Sequence, residues 1–144
     1  MSRWLIFEYL EGEESAIGVW LREKRITERD RGQLVQKMDL LARHGMDLPP
    51  GLLAGPIKSK KEPRKLSHIY KLIVHGQRML RPMLCRGPVD MDGEFTMLIG
   101  AIEKDGKLDV DAMEAEARRQ EIIADPENRR RLNGRYKRDA TPGS

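Results

Sequence analysis

Ile69-Tyr70-Lys71-Leu72-Ile73-Val74-His75-Gly76 is the first of three short aliphatic runs between Leu66 and Leu108. The second is Met79-Leu80-Arg81-Pro82-Met83-Leu84-Cys85-Arg86, closed by Gly87-Pro88. The third, Phe95-Thr96-Met97-Leu98-Ile99-Gly100-Ala101-Ile102, follows Asp92-Gly93 and runs into Asp105-Gly106. β-favouring residues bounded this tightly by turn chemistry predict a three-strand antiparallel meander. Phe95 to Ile102 is apolar at nearly every position, which predicts a central strand covered on both faces. With a turn of two or four residues at Gly76, Tyr70, Leu72 and Val74 would share a face with Met79, Arg81 and Met83. Lys71, Ile73 and His75 would then share the other with Arg78, Leu80 and Arg86. Pro82 has no N–H for a ladder, so an edge or a bulge is expected there.

Outward from the meander, Arg3 to Leu10 reads as a first strand, stopped by Glu11-Gly12-Glu13-Glu14. Ile17, Trp20 and Leu21 fall at helical spacing and predict a short amphipathic helix ending near Arg25. Thr27-Glu28-Arg29-Asp30 resembles a capping box with Asp in the acidic place. The stripe Leu34, Val35, Met38, Leu41 and Ala42 follows it, and Gly45 supplies a stop. After the meander, Asp109 or Asp111 can cap a helix running to Ile123, and Asp125-Pro126 can restart one. The order strand, helix, helix, three-strand meander, helix predicts an α+β domain: a small antiparallel sheet with an α-hairpin packed on it. We expect that domain over residues 1–124 and a basic, flexible tail over 125–144.

Composition narrows the class. A chain of 144 residues, 35% charged and only 5% aromatic, holds one domain whose core is mostly aliphatic and Met. No apolar run approaches a membrane span, Met1-Ser2-Arg3-Trp4 opens no signal peptide, and the single Cys85 allows no intramolecular disulfide. A soluble cytoplasmic protein, away from membranes, is the expectation. Charge is segregated: residues 58–86 carry nine basic side chains and one acidic, 87–128 four and twelve, 129–144 six and one. An anionic partner, nucleic acid first, would suit the basic block; alternatively the two blocks face each other. Lys58-Ser59-Lys60-Lys61-Glu62-Pro63-Arg64-Lys65 is either a solvated loop or one wall of an RNA groove. His44, His68, His75 and Cys85 have no zinc spacing, and Asp90-Met91-Asp92-Gly93 is a turn rather than a calcium loop. No metal or cofactor is predicted.

At the level of short motifs the chain resembles the RelE/HigB toxin superfamily, in its phage-derived branch. That branch has a Leu-Tyr-Glu-Leu-Arg-like strand, here Ile69-Tyr70-Lys71-Leu72-Ile73, and a Tyr-Arg-Val-Leu-like strand, here Leu80-Arg81-Pro82-Met83-Leu84. A hydrophobic strand entering a Lys-rich turn follows, here Leu98-Ile99-Gly100-Ala101-Ile102-Glu103-Lys104-Asp105. Ile73 replaces the usual arginine and Glu103-Lys104 the usual lysine pair, so both changes remove positive charge.

The resemblance implies a ribosome-dependent mRNA endoribonuclease of a toxin–antitoxin pair. In that chemistry the RNA's own 2′-OH attacks the adjacent phosphate without a metal. It needs a proton acceptor, cations for the developing charge and a donor for the leaving oxygen. The resemblance carries Arg81 and Lys104 over as phosphate-stabilising cations. His75 is the candidate for acid–base work because an imidazole titrates near neutrality. Lys71, Arg78, Arg86, Lys60, Lys61, Arg64 and Lys65 are the candidate RNA contacts. Against these stand plainer readings: His75 as a surface residue beside a turn, and Arg81 as the ion-pair partner of an acid in the last helix. The partners implied are ribosome-bound mRNA and a cognate antitoxin covering the cationic face, with the acidic 87–128 block as a place for its basic stretch. Two other functions stay open: a non-catalytic RelE-like module binding nucleic acid or protein, and a gyrase inhibitor.

Overall fold

The computed structural model describes residues 3–61 and 66–137. The fold is mixed α+β, with two sheets and four α-helices among the described residues. Strand β1 (Leu5–Glu11) turns at Gly12 into β2 (Glu14–Ser15). Ser15 caps α1 (Ala16–Leu21), its Oγ accepting the Gly18 N–H at 3.0 Å. The capping box of α2 (Glu28–His44) is complete: the Asp30 N–H donates to Thr27 Oγ1 and the Thr27 N–H to Asp30 Oδ2. Helix α2 stops at Gly45, whose φ of 58° suits a residue without Cβ and whose face is filled by the Trp4 indole.

Beyond β3 (Leu53–Ala54), each of the three runs breaks in two. The first gives β4 (Ile69–Leu72) and β5 (Val74–His75), the second β6 (Met79–Leu80) and β7 (Met83–Arg86), the third β8 (Glu94–Ile99) and β9 (Ile102–Lys104). Then come β10 (Lys107–Leu108), α3 (Ala112–Ala124), α4 (Pro126–Arg129) and β11 (Arg130–Leu132). The large sheet has the order β11-β1-β8-β7-β4-β3, with β2 attached to β1, and the small ladder is β10-β9-β6-β5.

The breaks have local causes. Pro82 cannot donate to a ladder, and next to it the β7–β8 register slips between Met83 and Leu84, leaving Leu98 as an extra residue. On the third run the break falls at Gly100, where the Trp20 ring of α1 lies so close that no Cβ would fit. Strand β8 is central as expected, paired to β1 and β7, with Glu94 to Leu98 all buried. The α-hairpin covers one face, burying Leu34, Met38 and Leu41 against Leu72, Leu84 and Phe95. Helix α3 covers the other, with Ala112, Ala115 and Ile122 against Ile69, Met83 and Cys85.

Three expectations need correction. The sheet is not purely antiparallel: β1 and β8 run parallel, Ile6 opposite Phe95, because the long path between them, through two helices and strands β2 to β7, returns the chain in the same direction. The turn at Gly76 holds three residues, Gly76, Gln77 and Arg78, so even positions pair with even. Val74 is opposite Leu80 and Tyr70 opposite Leu84, which moves Leu80 to the core face with Leu72 and takes Arg81 off it. Finally, the segment after Ala124 belongs to the fold as far as residue 137. β11 pairs with β1, Arg130 forms a buried ion pair with Glu94, and its guanidinium lies 3.7 Å from the Phe7 ring centre. Tyr136 is buried and donates to Asp39 Oδ1 at 2.8 Å, while Arg135 makes two 2.9 Å bonds to the same carboxylate. Residues 138–144 of the expected tail lie outside the described residues.

Candidate nucleic-acid interface

The three residues expected to do chemistry are not brought together. Arg81 is 3% exposed. Its Nη1 donates to the carbonyls of Leu80 (2.8 Å) and Val74 (3.3 Å), and Nη2 lies 3.7 Å from the Glu103 carboxylate. Burial lowers the guanidinium's affinity for its proton and Glu103 opposes that shift. Arg81 is therefore an internal brace of the small ladder, and its acid is on the neighbouring strand rather than the last helix. Directly paired residues in an antiparallel ladder share a face, and successive residues alternate. His75, Met79 and Glu103 form one such row. Lys104, paired to Lys107, therefore points to the opposite face from His75, although both side chains are exposed.

The expected RNA contacts also divide. Arg86 braces the 87–93 turn: Nε donates to the Met91 carbonyl, Nη2 donates to Asp92 at 2.8 Å, and the guanidinium stands 5.5 Å from the Trp4 ring centre. Lys71 is half-buried in β4 between Ala54 and Met83. Arg64 and Lys65 lie outside the described residues. Arg78, Lys60 and Lys61 are exposed.

What the fold does assemble is a shallow cleft of about 400 Å³ lined by Arg25, Arg78, Lys104 and Lys107, with Ile102, Leu108 and Asp109 completing it. The two-residue turn Asp105-Gly106, with φ of 53° and 75°, has the left-handed geometry that a tight hairpin demands, and it sets Lys104 directly opposite Lys107. Asp109 fixes the inner wall. Its Oδ1 accepts the Ile102 N–H at 2.8 Å, its own N–H donates to the Ile102 carbonyl at 3.0 Å, and Oδ2 accepts from Arg25 Nη1 at 3.2 Å.

Arg78 is presented by a second carboxylate. Asp30 is fully buried, and its Oδ1 accepts the Gln77 N–H at 2.6 Å and the Arg78 N–H at 3.2 Å. Burial alone would raise its pKa, but the N–H groups of Thr27, Arg78 and Gln77, with the Thr27 hydroxyl, outweigh it and hold the carboxyl below the usual range. The acidic member of the α2 capping box thus also clamps the 76–78 turn, and Gly76 is bare because a Cβ would run into that carboxylate.

Beside the first cleft lies a second depression of about 300 Å³ that shares Leu108 and Asp109 with it. Lys58, Lys60 and Lys61 line it together with the start of α3. The lysine segment is pinned there: Asp111 Oδ1 accepts the Lys60 N–H at 2.8 Å, and Oδ2 accepts from Ser59 Oγ at 2.7 Å and the Met113 N–H at 2.9 Å. Residues 59–61 are therefore held against the helix start instead of forming a free loop.

The sequence analysis missed Arg25 and Lys107. For Lys107 a signal was present, since Lys-Asp-Gly-Lys is a two-residue hairpin turn that must pair its flanking lysines. Arg25 enters through a bond to a residue 84 positions away, which no local pattern announces. Open and cationic, the cleft can hold phosphate groups; it does not set an exposed imidazole beside those cations. No helix of the described residues is long and apolar enough to cross a membrane. No family model, curated protein or solved structure matches this chain.

Proposed function

We propose that this protein is a nucleic-acid-binding module that grips the phosphate backbone at the cleft of Arg25, Arg78, Lys104 and Lys107. One observation carries the reading: Lys104 and Lys107 are directly opposed on adjacent strands. Like charges so placed destabilise a ladder, and a polyanion seated over them reverses the sign of that term. Among the described residues Asp109, which pairs with Arg25, is the one carboxylate lining the cleft, and it leaves the other three cations to a ligand. The test is fluorescence anisotropy with labelled RNA and single-stranded DNA. Binding should weaken at least about tenfold in Lys104→Glu/Lys107→Glu, with the circular dichroism spectrum unchanged. Equal binding by that variant, or none by the natural protein, overturns the reading.

The RelE/HigB resemblance belongs to the same proposal. What supports it is a pair of helices ahead of the three broken runs and a helix after them, although the short strands β2, β3 and β10 are additions to the expected order. On that basis the module would be a toxin-like component of a prokaryotic or phage toxin–antitoxin pair in the cytoplasm, with an antitoxin laid over the cations. Ribosome-dependent mRNA cleavage is the second reading. It is favoured by the exposed His75 on the same small ladder as Lys104, and weakened by their opposite faces and the enclosed Arg81. Induction in a bacterial host with mapping of mRNA 5′ ends separates the two. New ends within translated frames would establish cleavage, and soluble expression without them would leave the binding module.

A further inference from the structure

We infer that the cationic cleft and the lysine-lined depression beside it form one continuous track, and that its ligand is an extended nucleic-acid strand held by its backbone without reading of bases. The inference rests on the nucleic-acid reading of the first cleft and adds the length, the path and the specificity of the ligand. Continuity follows from the shared rib: Leu108 and Asp109 line both depressions, with Lys104 and Lys107 on one side and Lys58, Lys60 and Lys61 on the other; Asp111 and Glu114 also line the second, and of these Asp111 is engaged by Ser59, Lys60 and Met113. The second group is held in place by its backbone, through the Asp111 carboxylate, so its side chains are offered from a fixed segment.

Indifference to sequence follows from where the aromatic residues are. Reading single-stranded bases depends on exposed rings on which they stack. All of the chain's Trp, Tyr and Phe residues lie among the described residues, and each is buried or half-buried. Of the partly accessible rings, Trp4 and Phe7 are faced by the guanidinium groups of Arg86 and Arg130, and Tyr70 packs against the core with Gly55 beside its ring. The helix that meets the track, α3, does so with its acidic start, Asp111 and Glu114, and lines it with no cation for a major groove; the cations sit on a hairpin edge and a pinned loop. Recognition is left to the phosphates, which makes it steeply dependent on salt and nearly blind to composition.

Anisotropy titrations across a salt series test this on the full chain, using labelled oligouridine and oligoadenosine of about 4 and about 16 nucleotides, a span typical of single-strand site sizes. The 16-mers should bind at least about tenfold tighter than the 4-mers, and the two compositions should agree within about threefold. For single strands each phosphate contact adds about 0.7 to the slope of log K against log salt, so Lys60→Gln/Lys61→Gln should lower it by about 1.4. Lys104→Gln/Lys107→Gln should lower it by a similar amount. If the Lys60/Lys61 variant keeps the natural slope while the Lys104/Lys107 variant loses it, the track ends at the first cleft and the inference is wrong. A preference above about tenfold for one base also overturns it. Absence of binding at every length instead removes the nucleic-acid reading beneath it.

Discussion

The same three strands have two unlike ends. At one end, β4, β7 and β8 lie inside a sheet covered on both faces, and most side chains are buried. Past Ile73, Pro82 and Gly100 the strands continue as β5, β6 and β9, where only one row, Val74–Leu80–Ile102, is still in the core. One step further out along that face stand Arg78 and Lys104, exposed. The core therefore ends, and the cationic cleft begins, on a single face within one strand repeat. Cations on this molecule are sorted by their partners and not by their number: Arg81, Arg86 and Arg130 hold the fold, while Arg78, Lys104 and Lys107 stand exposed along the cleft.

That contrast can be broken on the structural side first. Asp30→Ala removes the acidic half of the α2 capping box and strands two N–H groups of the 76–78 turn, and should cost about 3 kcal/mol in urea denaturation. Gly100→Ala forces a methyl group into the Trp20 ring and should cost about 2 kcal/mol through overpacking. Arg81→Ala should cost a comparable amount, about 2 kcal/mol, by leaving Glu103 and two strand carbonyls without their donor. Its affinity for RNA, measured on the folded fraction, should stay within about twofold. A loss of RNA binding with stability intact would return Arg81 to the functional site.

The carboxylates set an acid limit to the same framework. Asp30 and Asp111 are held below the usual range because their hydrogen bonds outweigh burial, and Asp39 chiefly by its bonds to Arg135. A folded pKa below the unfolded one, about 3.9 for Asp, means that the unfolded chain binds protons first on acidification. The stabilisation is fully present above that value and is lost as pH falls through the lower, folded values. Urea midpoints between about pH 5 and pH 2 should drop, and less steeply in Asp30→Asn/Asp39→Asn. The smallest effect belongs to the cleft: Lys104→Gln/Lys107→Gln should change stability by no more than about 0.5 kcal/mol.

Much of this frame was legible locally. Thr27 with Asp30, Gly45, Asp111 and Pro126 mark helix ends by chemistry confined to a few residues, and the unbroken apolar run of β8 announced a strand with no wet face. Hairpin parity was not legible, because one extra residue in the 76–78 turn reverses every pairing and nothing in Gly-Gln-Arg fixes the count. That reversal is also why Arg81 was misplaced. The C-terminal segment looked like a tail because it is polar and basic and contains Gly and Pro, yet Arg130 and Arg135 meet Glu94 and Asp39, 36 and 96 positions earlier. A charged residue's partner across such distances is a tertiary fact, whereas caps and turns are local.

The most direct measurement is a two-dimensional amide NMR titration of the labelled protein with a short oligouridine strand. If the small ladder carries the function, shifts should cluster at Arg25, Arg78, Lys104 and Lys107 while the amides of β4, β7 and β8 stay still. Shifts centred on His75, Met79 and Glu103, or spread through the large sheet, would contradict the account.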